Sequence, residues 1–324
     1  MKLLTKNNLL KIIHYIKKYS YLLGIFIFIL ILTKVNFNQL WQNIKGMKPL
    51  YLITALALGF PTLIIKSFCW NYIKRQQGIK YKLKDSFLMY VSSLFISGFT
   101  PGRIGEVARA FYLKKDGYSM GKSLVGVIID RLTDFIFLLV VIVVGSLFFI
   151  TIFQKQITIL ILVIIITIVL SMVFLKIGLV KWFFKTLFNK FIPEQYQKSW
   201  KLSFQDFMND LKIYKLKNYI IIFAITIFSW LFYYIQTYAL GKGANIEGIP
   251  FLYFTVAITI TGFITLIPIS VAGIGTREAA LILLFSPYAI SIEKIIAFSS
   301  LILLMYLFSC LFGLICWLIK PIRI

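Results

Sequence analysis

The stretch SGFTPGRIGEVARAFYL, residues 97–113, decides how this chain is read. It carries two arginines, a glutamate, a proline and three glycines, inside a sequence that is 60% hydrophobic. Ahead of it lies a short apolar run, residues 85–99; behind the Pro101–Gly102 break comes a second short helical stretch, residues 103–113. Neither piece reaches the roughly 20 residues that a spanning helix needs. A broken segment of this kind is tolerated at membrane depth only when it is buried in protein or lines a polar cavity. The stretch therefore predicts a re-entrant hairpin over residues 85–113.

Composition supports the membrane setting that this reading requires. Mean hydropathy is +0.89, and only 14% of the 324 residues are charged, against about 25% in soluble domains. The net charge of +24, from 35 Lys+Arg against 11 Asp+Glu, would point to nucleic acid in a soluble protein. Here the lysines fall between apolar runs, where they act as orientation signals and anchors to anionic lipid, so no nucleic-acid partner is expected. His14 is the only histidine, which excludes a histidine-ligated metal site and His-based acid–base catalysis. Cys69, Cys310 and Cys316 lie in apolar runs without metal-ligand spacing. No cofactor and no metal are expected.

Long apolar runs occur near residues 20–32, 50–69, 120–152, 157–175, 218–240 and 295–319. They predict about six spanning helices in an all-α polytopic membrane protein, the first an uncleaved span. A second apolar piece, residues 251–267, runs into IPISVAGIG and then a further stretch at 274–286, which predicts another re-entrant hairpin over 251–286. Residues 33–48, TKVNFNQLWQNIKGMK, read as the first outer loop. Residues 176–217 read as a cytoplasmic amphipathic segment, with Trp200, Phe204, Phe207, Met208 and Leu211 at helical spacing. With the N-terminus inside, the positive-inside rule is satisfied along the whole chain only if 85–113 returns to its own side. Both termini are then cytoplasmic. The two span–hairpin–span units have opposite orientations, which predicts an inverted repeat. The whole chain, 1–324, is read as one integral membrane domain.

Three clusters carry the chemistry. At the first tip are Pro101, Gly102, Arg103, Gly105, Glu106 and Arg109; at the second are Pro268, Gly273, Gly275, Arg277 and Glu278. The start of a half-helix presents free N–H groups and a partial positive charge, and an arginine there suits a phosphate. The third cluster is DRLTD, residues 130–134, where Asp130 and Asp134 share a helix face and Arg131 reaches Asp134 at i, i+3. Charge at mid-membrane costs roughly 2.5–3.5 kcal/mol per group, so these groups must be paired or face water or ligand. The alternative reading is that Glu106–Arg109 and Arg131–Asp134 are structural ion pairs that lock hairpin to span.

TPGRIGEVARAFYL, DRLTD and IPISVAGIGTREAALILL, in that order, resemble the lysylphosphatidylglycerol synthase transmembrane family, also called the flippase-like domain family. The same domain forms the N-terminal part of the bacterial multiple peptide resistance factor. The resemblance implies a polytopic domain that moves or handles a lipid, with the three clusters above matching the family's motifs. In relatives the first acid of the DRLTD element is often glutamate. The chain carries no aminoacyl-transfer domain of the kind the resistance factor has, so lysyl-lipid synthesis is not expected. The function expected is translocation of an anionic phospholipid or a lipid-linked headgroup across the cytoplasmic membrane, without enzymatic conversion. The alternatives are a membrane-embedded glycosyltransferase, disfavoured by the lack of acids in the first outer loop, and a non-transporting subunit that presents lipid to an enzyme. A homodimer, an envelope glycosyltransferase and a lipid synthase stand as open options for a protein partner.

Overall fold

The computed structural model describes residues 25–98, 100, 105–149, 194–266, 270 and 272–321, with side chains described from Leu202 in the third of these longer segments. Residues 20–24 of the first apolar run, the expected span at 157–175 and the first part of the amphipathic segment lie outside the described residues. So do Pro101, Gly102, Arg103 and Pro268.

Every regular element among the described residues is helical. In chain order these are α1 (Ile25–Leu32), α2 (Phe37–Lys45), α3 (Pro49–Gln76), α4 (Leu83–Gly98), α5 (Ala108–Lys115), α6 (Met120–Phe148), α7 (Glu194–Leu211), α8 (Leu216–Gly243), α9 (Phe251–Leu266), α10 (Thr276–Phe285) and α11 (Ile292–Ile319). Three of them, α3, α8 and α11, are each 28 residues long and apolar enough to cross a bilayer; α1 and α2, bent by 96°, would add a fourth if taken as one span. Helix α6 is as long, at 29 residues, and carries DRLTD near its middle.

Helices α4 and α9 are different. Each has 16 residues, about 24 Å of helix against a hydrocarbon core of roughly 30 Å. Their sides are covered by protein: Leu88–Leu94 and Tyr253–Thr261 are buried without a break. Contacts between residues far apart in the chain fix where the α4–α5 unit begins and ends. At the start of α4, Asp85 pairs with Lys320 at 2.9 Å. Near the end of α5, the Tyr112 hydroxyl donates to the Lys320 carbonyl at 2.7 Å. The Tyr81 hydroxyl, just before α4, donates to Asp116, just after α5. Burial, and then that bond, push the Tyr81 phenol upward in pKa. The α4–α5 unit thus leaves and returns to one end of the bundle.

The reversal depends on Gly105. A Cβ there would stand 2.6 Å from the Ile96 carbonyl and from the Ser97 nitrogen, so only glycine lets the returning chain lie on the α4 backbone. The Thr100 hydroxyl accepts from the Gly105 N–H at 2.7 Å and pins the turn.

The α9–α10 unit opens at the opposite end. The Tyr253 hydroxyl, near the start of α9, donates to the Leu284 carbonyl near the end of α10 at 2.5 Å, and the Tyr253 ring packs on Phe149 beyond α6. A trio of rings, Phe254, Phe285 and Phe298, with centroids 5.6–6.2 Å apart, holds this unit to α11. The packing partners follow a pattern. Helix α3 lies along α8; α4 lies on α11 as α9 lies on α6; α2 touches α11 as α7 touches α6. The expected first outer loop is therefore not a loop: Asn36 caps α2 by accepting from the Asn38 and Gln39 amides.

Candidate functional site

Among the described residues, seven side chains, from α3, α5, α6, α8 and the turn before α5, meet at mid-length of the bundle. Lys66 lies 10 residues before the end of α3, and Asp134 lies 14 residues into α6, about 15 and 21 Å along their axes. The Lys66 ammonium bonds Asp130 at 3.1 Å and Asp134 at 2.5 Å. Arg109, on α5, bonds the other Asp130 oxygen at 2.6 Å. Arg131 reaches Glu106 at 2.9 Å and Asp134 at 2.8 Å. Finally, the Trp230 indole on α8 donates to Asp134 at 3.0 Å.

Among the described residues, Lys66, Arg109 and Arg131 face Glu106, Asp130 and Asp134. Burial makes this pairing necessary. Arg109 and Asp130 are fully buried, and Glu106 is 1% exposed; an uncompensated charge in such a place costs several kcal/mol. Two aromatic faces add to the pairing, with the Arg109 guanidinium 4.7 Å from the Trp70 ring and 5.2 Å from the Tyr90 ring. Arg131 is the most open of the charged members, its side chain 31% exposed.

The second tip closes on itself. Ala272, Gly273 and Gly275 all have positive φ, at 53°, 77° and 83°, a run of left-handed backbone that glycine makes inexpensive. The turn aims the Gly275 N–H at Glu278 Oε2, 2.6 Å away, so the acid caps its own helix. Arg277 donates to Glu278 at 3.1 Å and to the Ser299 hydroxyl at 2.6 Å. Ser299 in turn donates to Glu278.

The three expected clusters thus become two bonded groups. Glu106, Arg109, Asp130, Arg131 and Asp134 are brought together, while Arg277 and Glu278 form their own cluster around α10 and α11. The Glu106–Arg109 pair is loose at 3.9 Å, and Glu106 bonds Arg131 more closely. Two members were not read from the sequence. Lys66 was legible as a lone lysine inside the apolar run 50–69, where intramembrane charge marks a functional position by default. Trp230 left no signal, since a tryptophan in an apolar helix suits lipid as well as an aspartate.

Residues 19–313 match the family described as Lysylphosphatidylglycerol synthase TM region. The chain belongs to this family. The match takes in both hairpin units and the whole α3–α6–α8 network, so the charged site lies within the family's own domain and not in an added segment. No curated protein matches the chain. Membership in this family places the protein in a membrane and ties it to lipid, and several long apolar helices agree with a multi-pass arrangement.

Proposed function

We propose that the protein is a lipid translocase that carries an anionic phospholipid or lipid-linked headgroup between leaflets of the cytoplasmic membrane, without converting it chemically. The observation that carries this reading is the buried, ion-paired network at mid-length of the bundle. It ties the tip of one hairpin to three long helices through bonds that an anionic group can exchange. Paired charge is the form in which a polar path stays stable inside a bilayer.

Helix lengths and packing support an inverted repeat of two span–hairpin–span units. The first unit runs 28, 16, 8 and 29 residues through α3–α6, and the second 28, 16, 10 and 28 through α8–α11. The packing partners exchange in the same way. In this reading α6 is a spanning helix, the span at 157–175 completes six, and the hairpins are re-entrant from opposite faces, as alternating-access carriers require. Charge supports the orientation. Lys74, Arg75, Lys80, Lys82, Lys84, Lys114, Lys115, Lys122, Lys212, Lys215, Lys217 and Lys320 cluster at the end where α4 begins, which is the cytoplasmic side by the positive-inside rule. A shallow apolar cleft between α3, α8 and α11 is lined by Phe60, Leu63, Met305 and Phe312 among others, with Leu63 one turn from Lys66.

The test is transbilayer movement of fluorescent phosphatidylglycerol and of a short polyprenyl phosphate in liposomes containing the full chain. Arg131→Gln, checked for folding, is run beside the parent. Movement by the parent that the variant loses is the expected result. No movement of either lipid under any imposed gradient removes the translocase reading and leaves lipid presentation to a partner enzyme.

A further inference from the structure

Helix α2 is tied down at both ends to one end of the bundle. At its start the Asn36 N–H donates to Glu293, the second residue of α11, at 3.1 Å. Past its end the Gly46 carbonyl accepts from Asn245, just beyond α8, at 3.0 Å. The Lys48 N–H then bonds the Gly243 carbonyl at 3.1 Å. A rod of nine residues, about 13 Å long, whose two ends rest at one level of the bundle, lies across the helix axes and not along them. Its 96° turn from α1 agrees.

Around its axis α2 presents three faces. Leu40 and Asn43, with Met47 just past the helix end, are partly buried against the protein. Phe37, Trp41 and Ile44 are 63%, 58% and 39% exposed and share an arc of about 60° at 100° per residue. Asn38, Gln39 and Gln42 occupy the side away from that arc. No acid lies between Lys34 and Lys48, and Lys45 sits 5.3 Å from the Trp41 ring. A helix in water would not hold out an aromatic stripe, and one inside hydrocarbon would not hold out three amides.

We infer that α2 is an in-plane interfacial helix, seated by Phe37, Trp41 and Ile44 at the headgroup–acyl boundary of the leaflet facing away from the basic end. The occupant of the stripe is the bilayer itself. Its level follows from the span ends it is bonded to, and Lys34, Lys45 and Lys48 complement lipid phosphate. An amphipathic helix so placed sinks its apolar face by roughly 5–10 Å. Through Asn36 and Glu293 the helix also fixes the level of α11, the helix whose Ser299 holds the second hairpin tip. The inference rests on the membrane setting of the bundle and not on translocation, so the two can fail separately.

Single cysteines at 37, 41, 44, 38 and 42 carrying a nitroxide label decide it, with the full-length protein in liposomes of mixed neutral and anionic phospholipid. The native cysteines are buried, and labelled parent protein supplies the background. The expected result is a split in collisional accessibility. Labels at 37, 41 and 44 favour oxygen over a water-soluble nickel complex at shallow depth, and labels at 38 and 42 show the reverse. If Trp41→Cys does not fold, Phe37→Cys and Ile44→Cys give the same reading. Oxygen preference at all five sites, with depth increasing along the helix, would make α2 part of a span and overturn the inference. Nickel preference at all five would leave the stripe to a soluble partner and overturn it equally.

Discussion

The two hairpin tips use the same residue types for different ends. At the first tip Glu106 and Arg109 point outward, so their bonds cross to α6 and, through Asp130, to α3. At the second tip Arg277 and Glu278 turn inward, to each other, to the Gly275 amide and to Ser299. The ion pairs of the first tip cross to other helices; those of the second stay between neighbouring residues, with Ser299 of α11 as the described side-chain partner from another helix. Backbone geometry produces this difference. The positive-φ residues Ala272, Gly273 and Gly275 aim an N–H at Glu278 and satisfy it locally, whereas at the first tip the Thr100 hydroxyl accepts from the Gly105 amide and Glu106 bonds Arg131 of α6. A charged motif at a hairpin tip therefore does not state its role; the partner does.

The sharpest way to test that contrast is Asp130→Asn. One Asp130 oxygen serves Lys66 and the other serves Arg109, so removing its charge leaves two cations competing for what remains. Breaking a buried pair costs about 3–5 kcal/mol, and here the loss is expected at the upper end because two bonds go together. Thermal unfolding in detergent should show the loss, and lipid movement per folded molecule should vanish. Unchanged lipid movement by the folded fraction would take the network out of the path.

Glu278→Gln at the second tip is the matching experiment with a smaller effect. The amide oxygen can still accept from Gly275 or Arg277, so a loss near 3 kcal/mol is expected, the lower end for a broken buried pair. Stability falls, while lipid movement per folded molecule stays at the parent value. A folded Glu278→Gln protein that moves no lipid would break the contrast, making the second tip as much a part of the path as the first.

Much of this was legible in the sequence because it is local. The Pro101–Gly102 break, the short runs flanking it and the spacing of DRLTD each lie within one helical turn or one hairpin, and the bulk of the helical architecture follows from them. What escaped is long-range. Lys66 joins Asp130 and Asp134 across 64 and 68 residues, and Trp230 reaches Asp134 across 96. Periodicity shows which face of a helix is apolar but not which helix will lie against it. Helix α2, within the expected outer loop at 33–48, escaped for another reason. Its nine helical residues are too few to outweigh the polar amides in a scan for spans, although Phe37, Trp41 and Ile44 stand at helical spacing.

Trp230→Phe tests the weakest strand of the network. The substitution deletes one bond from a neutral donor to a carboxylate, worth about 1.5–3 kcal/mol, and keeps the ring that stacks on Phe137 at 5.8 Å. The lower end, about 1.5 kcal/mol, is expected because Lys66 and Arg131 still hold Asp134. The consequence for transport separates a structural bond from a gating one. If α8 must part from α6 when the headgroup passes, this bond resists the motion, and its loss should raise the rate of lipid movement while lowering the unfolding temperature. A fall in rate proportional to the folded fraction would instead assign Trp230 to packing, and would confine the exchangeable part of the site to α3, α5 and α6.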